Sequence, residues 1–155
     1  MGTHFCLIPR EASQGTMDIV LWDASEAGVM PLPSGRLVRG RRWSAVPETL
    51  PERGLYAMWR DPAPVWPYAW LRWPDFGLPL SRERAWSVIE DMWRAAEVER
   101  VEVACGGGRG RTGTVLAAMT ILDGLDPDAA VAWVRQHYDR HAVETPWQRH
   151  WLHQH

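Results

Sequence analysis

Lysine is absent from this chain: arginine fills all 17 of the Lys+Arg positions among 155 residues. Every fixed positive side-chain charge is therefore a planar guanidinium, the group suited to two-point contact with a phosphate or carboxylate. Cysteine is scarce as well. Two residues, Cys6 and Cys105, cannot build a disulfide framework, so a reducing compartment is expected. No run approaches the roughly 20 apolar residues of a membrane-spanning helix. The segment Met1-Gly2-Thr3-His4-Phe5-Cys6 has no basic stretch followed by a long apolar run, and Cys6 stands at the myristoylation offset where Ser or Thr is required. Cytoplasm is the expected location. A dominant charge is missing too: the formal net charge of −2 offers nucleic acid no global attraction, so any pull on a phosphorylated partner must be local. His137 and His141 are four apart and His150, His153 and His155 crowd the tail. None has an acidic third ligand or a catalytic Glu at matching spacing, so no metal site is expected.

What is present reads as one folded domain over 1–155, with 1–15 as an irregular lead-in. Hydrophobic content of 46% and charged content of 23% lie in the ordinary globular range, and the length suffices for a core. Most of the 11 tryptophans are expected to pack in or beside that core. Met17–Trp22 alternates as a first strand, Pro31–Gly35 punctuates a turn, and Arg36–Gly40 and Gly54–Trp59 read as further strands. Val65 to Arg72 runs extended. A helix capped by Ser81 follows, with Trp86, Ile89, Met92, Trp93 and Ala96 at helical spacing. Val101–Ala104 is a strand, and Thr112–Leu122 a buried helix that ends at Gly124. Asp126-Pro127 and Thr145-Pro146 then open two more helices. This order fits an α/β sheet covered by helices.

Between the strand at 101–104 and the helix at 112 lies Cys105-Gly106-Gly107-Gly108-Arg109-Gly110-Arg111-Thr112-Gly113. A turn feeding a helix N-terminus points several backbone N–H groups into one concavity, which suits a tetrahedral anion. The glycines allow close approach and positive φ angles. Arg111 adds a charged fork for two phosphate oxygens, and a thiol inside that field is expected to ionise readily and act as a nucleophile. Cys-x5-Arg alone is weak: in a chain this rich in arginine, roughly one cysteine in nine meets Arg at that offset. Cys6, with Ala12 there, does not.

The full loop string resembles the signature of the cysteine-dependent protein tyrosine and dual-specificity phosphatases. Two further segments in family order extend the resemblance to about residues 15–155, and to small bacterial members in particular. Trp73-Pro74-Asp75-Phe76-Gly77-Leu78-Pro79 is similar to the mobile Trp-Pro-Asp loop, and Glu144-Thr145-Pro146-Trp147-Gln148 to the glutamine loop. There are two departures. Ala104 stands where the family usually has His, and Glu144 replaces the first glutamine.

The resemblance implies a three-layer α/β/α fold around a mixed, mostly parallel sheet of about four to five strands. It implies Cys105 as nucleophile, with Arg111 and the amides of Gly106, Gly107, Gly108, Arg109 and Gly110 holding the phosphoryl group. Asp75 becomes the acid and base, Thr112 eases expulsion of the thiolate, Gln148 places the water, and Trp73 serves as loop hinge. The expected substrate is a phosphorylated protein or small phosphate ester, with no metal or cofactor. Two other readings stay open. Arg109 adds a second cation to the loop rim, which suits a phosphoinositide or inositol phosphate, or is merely solvated. Ala104 and Glu144 keep a non-catalytic, phosphate-binding role open. Whether Trp43, Tyr56 or another aromatic stacks on a substrate ring is undecided at this level.

Overall fold

The computed structural model describes residues 18–155; Met1–Cys6, the expected lead-in over 1–15 and Met17 of the expected first strand lie outside them. Five strands, β1 (Val29–Pro31), β2 (Leu37–Arg42), β3 (Arg53–Met58), β4 (Tyr68–Arg72) and β5 (Val101–Cys105), form one sheet in the order β1-β2-β5-β3-β4. Only β1 is antiparallel to its neighbour; β2, β5, β3 and β4 pair in parallel. The helices are α1 (Arg82–Ala95), α2 (Gly110–Leu122), α3 (Pro127–His137) and α4 (Pro146–Leu152). The α/β class and the mixed, mostly parallel five-stranded sheet are as the sequence implies.

Three of these four helices begin at a side-chain cap. Ser81 accepts from Arg84 N, Asp126 from Ala129 N ahead of Pro127, and Thr145 with Gln148 closes a reciprocal capping box ahead of Pro146. α2 is apolar on nearly every side and buried from Gly110 to Thr120, as a helix at the centre of a core must be. It lies over the sheet face that presents Val38, Leu55, Ala57 and Val103. Those side chains join Ile89, Met92, Leu116, Met119, Val134 and Leu152 in one continuous core.

Because strand side chains alternate, the residues between those apolar positions face the other way, and there the sheet buries charge. Glu102 of β5 is fully buried. Its carboxylate accepts from Arg39 Nε at 3.0 Å and Arg39 Nη2, from Arg41 Nε and Nη2 at 2.6 and 3.0 Å, and from the Tyr56 hydroxyl at 2.7 Å. One acid thus ties β2 and β3 to the strand between them. Around this network lie Trp22, beneath the Arg39 guanidinium at 3.9 Å, Trp66, which donates to the Tyr56 oxygen, and Trp43, edge-on to Tyr56. Tyr56, fully buried in this network, is not free to stack on a substrate. Burial first, and then the Glu102 charge, push its phenol upward in pKa.

The alternation at Met17–Trp22 does not produce a strand. Residues 18–23 are irregular, and Ile19, Val20 and Leu21 are exposed. Trp22 acts instead as an anchor, its indole donating to Val101 O at 2.8 Å. β propensity without a pairing edge does not make a strand. The sheet's antiparallel edge is β1, whose last residue is Pro31, at the start of the expected turn. Of the extended run 65–72, only Tyr68–Arg72 pairs as a strand. His137 stacks on Trp133 with ring centroids 4.0 Å apart, a packing role.

Removing Glu102 leaves Arg39 and Arg41 buried without their partner. We predict that Glu102→Ala lowers unfolding free energy by about 3–5 kcal/mol in urea denaturation; an unchanged midpoint contradicts this. Because the native Tyr56 phenol holds its proton above the ordinary value of about 10, stability falls as pH rises past that point. Tyr56→Phe flattens the slope.

Candidate active site

β5 delivers Cys105 to the C-terminal edge of the sheet, where Trp43 N donates to its carbonyl at 2.9 Å and ties the strand end to the end of β2. The next four residues turn the chain into α2. Gly108 has φ 71°, and a Cβ there would lie 2.7 Å from Arg42 N, so only glycine fits. That turn aims Gly108 N at the Cys105 sulfur, 3.1 Å away. Arg109 occupies the N-cap of α2 and its side chain caps nothing. The first-turn amides of the helix are thereby left for another acceptor, and the macrodipole favours an anion there.

Arg111 projects from that first turn, is buried, and reaches across to a different loop. Its Nη1 donates to Trp73 O at 3.0 Å, and its Nη2 lies 3.5 Å from Asp75 Oδ1. Arg111 Nε and Thr112 Oγ1 are buried with no protein partner. Unmet buried polar groups are rare and cost about 1–3 kcal/mol each. Two neighbours in one anion-shaped turn mark a place built for a polar ligand. The residues Cys105, Gly106, Gly107, Gly108, Arg109, Gly110, Arg111 and Thr112 thus share one strand–loop–helix junction, and Arg111 brings Asp75 to it.

The 73–77 loop is held from below and from the side. Trp73 is fully buried against Trp151 and its indole donates to Gly77 O at 2.7 Å, closing the loop on itself. From α4, Trp147 Nε1 donates to Phe76 O and Gln148 Nε2 to Gly77 O at 3.2 Å. Phe76 has φ 57°, a strained value for an aromatic residue, and its ring is exposed beside Asp75. Gln148 itself is fully buried. Its Oε1 accepts from Glu144 N at 3.1 Å and Thr145 N at 3.3 Å, so its oxygen caps α4 while one N–H of its amide holds the loop. Glu144 lies differently. It is exposed in the cleft, and its Oε1 comes so near Gly110 that a Cβ there would be 2.7 Å away.

Above the junction opens a cleft of about 540 Å³, lined by Arg42, Asp75, Phe76, Arg109, Tyr138 and Glu144 among others. Arg109 lies on its rim, 3.6 Å from Asp139 and more than half exposed. Three lining residues, Arg42, Tyr138 and Asp139, carry no signal in the sequence. Tyr138 donates to Gly108 O, and its ring occupies the space that a Cβ on Gly40 would fill. A glycine inside a strand is the signal for such close approach, although it does not say what approaches. Burial, followed by the nearby Cys105 and Asp139 charges, raises the Tyr138 phenol. Ala104, where the resemblance expects His, is buried; among the described contacts the loop carbonyl is held by Tyr138 instead.

Residues 78–154 match the family described as PTP-SAK, a Swiss Army Knife protein with a DSP-PTPase phosphatase domain. The match begins just after Asp75. Two uncharacterized proteins of Methanocaldococcus jannaschii are each 37% identical over 71 residues, 46% of this chain. The aligned segment spans 43% and 47% of those relatives, less than half their length. Among solved structures, Tk-PTP in its active form is 25% identical with a TM-score of 0.58, covering 67% of this chain and 77% of that one. Kinase associated phosphatase, 18% identical with a TM-score of 0.57 over 66% of this chain and 67% of that one, shares the fold.

Tyr138→Phe removes one buried hydrogen bond to the loop. We expect a loss of about 0.5–1.5 kcal/mol in stability and weaker vanadate binding measured by calorimetry. Vanadate affinity equal to that of the unaltered protein contradicts a role for Tyr138 in shaping the loop.

Proposed function

The chain belongs to the dual-specificity and protein tyrosine phosphatase superfamily, and from that membership we propose that it hydrolyses phosphomonoesters of the phosphotyrosine type, dual specificity included, through a cysteinyl-phosphate. The observation that carries this reading is the reach of Arg111. One guanidinium rooted in the signature loop touches both the backbone of Trp73 and the carboxylate of Asp75. Nucleophile, clamp and acid are thereby drawn to one cleft.

In the first step the Cys105 sulfur attacks phosphorus, the S–P bond forms and the ester P–O bond breaks. Asp75 gives its proton to the departing oxygen. Arg111 and the first-turn amides of α2 hold the equatorial oxygens, whose charge they stabilise most in the transition state. In the second step water attacks phosphorus, Asp75 takes its proton, and inorganic phosphate forms as the S–P bond breaks. The Thr112 hydroxyl, buried and without a protein partner, is assigned to ease expulsion of the sulfur in this step. The hydrogen bond from Gly108 N does the same and is stronger to a charged acceptor.

Placement of the attacking water falls to Glu144 in this proposal, because Glu144 is exposed in the cleft, whereas Gln148 is fully buried with its oxygen and one N–H held by backbone groups. Gln148 then acts as a positioning residue for the Trp-Pro-Asp loop. A purely phosphate-binding role is less well supported, since Cys105, Arg111 and Asp75 are all present and assembled. Arg109 does not by itself favour a phosphoinositide, because one half-exposed cation on the rim attracts a phosphate of any carrier alike.

We expect turnover of p-nitrophenyl phosphate that survives EDTA and is blocked by vanadate. Cys105→Ser should abolish it. Asp75→Asn should lower turnover of phosphotyrosine by about 10²–10⁴, with a smaller loss on p-nitrophenyl phosphate, whose leaving group needs less protonation. Full activity in Cys105→Ser ends the proposal. In rapid-quench experiments, Glu144→Ala should retain the burst of nitrophenol and slow the steady state that follows. Equal loss of both phases removes Glu144 from the second step.

A further inference from the structure

Beside the catalytic cleft lies a second depression that the chemistry above does not use. It encloses about 520 Å³ and is lined by Arg109, Arg135, Arg140, His141, Val143 and Glu144. Arg109 and Glu144 also line the cleft, so the two spaces adjoin along these residues. Its walls bring three guanidinium groups and an imidazole against one carboxylate, in a chain whose net charge is −2. Cations gathered this closely create a local attraction for anions that the whole-chain charge conceals.

The wall is built rather than loose. Arg135 Nε and Nη2 donate to the carbonyls of Ala142 and Val143 at 2.9 and 3.0 Å. Val143 is held at φ 60°, a conformation a β-branched residue adopts only when its surroundings impose it. Gly113 of α2 lies so near this segment that a Cβ would sit 2.6 Å from Ala142 Cβ. At its other end, Tyr138 is tied to the signature loop through Gly108 O. The connection between α3 and α4 is therefore held against the signature loop and the first turns of α2, and the backbone that carries Arg140 and His141 is fixed beside them.

Arg109 stands between the two spaces. Its separation of 3.6 Å from Asp139 is longer than a hydrogen bond, and the pair is more than half exposed on the arginine side. Ion pairs of that kind are weak, and most of the arginine's five donors remain free to engage a phosphate. Arg140 and His141, joined through Nε to Nε2 at 3.1 Å, are both exposed on the far side of the depression.

We propose that this depression binds a second phosphate carried by the same substrate molecule as the ester cleaved at Cys105, so that the preferred substrates are doubly phosphorylated. The inference rests on the phosphatase reading of the cleft. A phosphate brings about two negative charges and three acceptor oxygens, and guanidinium groups engage it in pairs. Binding there adds affinity without touching the reacting atoms, so it should lower KM and leave kcat nearly unchanged.

The test compares kcat/KM on p-nitrophenyl phosphate, a singly phosphorylated tyrosine peptide, the same peptide with a second phosphate nearby, and a soluble inositol bisphosphate. We expect at least one doubly phosphorylated substrate to exceed the singly phosphorylated peptide by about 10-fold or more, as one charged hydrogen bond allows. The double variant Arg140→Ala with His141→Ala should reduce that advantage to within 2-fold, a residual on the order of the weakest such bonds, and leave p-nitrophenyl phosphate unaffected. The bisphosphate that carries the advantage distinguishes a peptide source of the second phosphate from a polyol source. Equal kcat/KM on single and double phosphates, or an advantage that survives the double variant, overturns the inference while the phosphatase reading stands. If p-nitrophenyl phosphate is not turned over at all, that reading fails. The depression is then judged by equilibrium binding of the two peptides to Cys105→Ser, where equal affinities overturn it and a preference for the double phosphate supports it.

Discussion

A buried arginine that spans two loops is the contact on which the geometry of the candidate site, and the chemistry proposed for it, depends. Arg111 belongs to the first turn of α2, yet its guanidinium donates to a carbonyl at the base of the Trp-Pro-Asp loop and faces the carboxylate at its tip. Lysine, a point charge without a planar fork, could not serve both at once. The loop answers in kind. Trp73 closes it from within, and Trp147 and Gln148 of α4 hold two of its carbonyls. The acid is thus fixed relative to the thiol by hydrogen bonds that converge from three separate elements.

That convergence requires the strand ends to be in register, and here the other face of the sheet matters. Glu102 precedes Cys105 by three residues on the same strand, and its carboxylate is gripped by Arg39 and Arg41 of β2 and by Tyr56 of β3. A buried acid with five donations is expensive to desolvate and costly to break. Its use at this place, immediately below the catalytic loop, links fold stability to site geometry. The apolar face of the same strand contributes Val101, Val103 and finally Cys105 to the core. Pleat alternation alone therefore separates the residues that hold the sheet together by charge from those that hold it by packing.

Much of this was legible in the sequence. The caps at Ser81, Asp126 and Thr145, the Gly124 stop and the strand before Cys105 obey local rules that tertiary contacts did not overrule. The signature loop was equally readable, because its glycines and arginine have few other uses in that order. Less legible were features decided by partners distant in sequence. Met17–Trp22 looks like a strand until one asks which edge it would pair with, and the sheet has already ended at β1. Tyr138 reads as a helix end, and only the missing side chain of Gly40 hints that something must fit there. Gln148 carries the right identity for handling water, but it is fully buried, and a capping-box geometry and a loop carbonyl take its oxygen and one of its N–H groups. Burial of Glu102 leaves no local signature, since a single acid in a β-rich segment more often faces solvent.

The account stands on a covalent step at one sulfur, and the direct measurement is to trap it. The protein is mixed with p-nitrophenyl phosphate, quenched within milliseconds and digested, and the modified peptide is sequenced by mass spectrometry. A phosphoryl group on Cys105, formed and lost at rates that match turnover, is the predicted result. Turnover with no phosphoryl adduct at that residue, or with the adduct on another side chain, would contradict it.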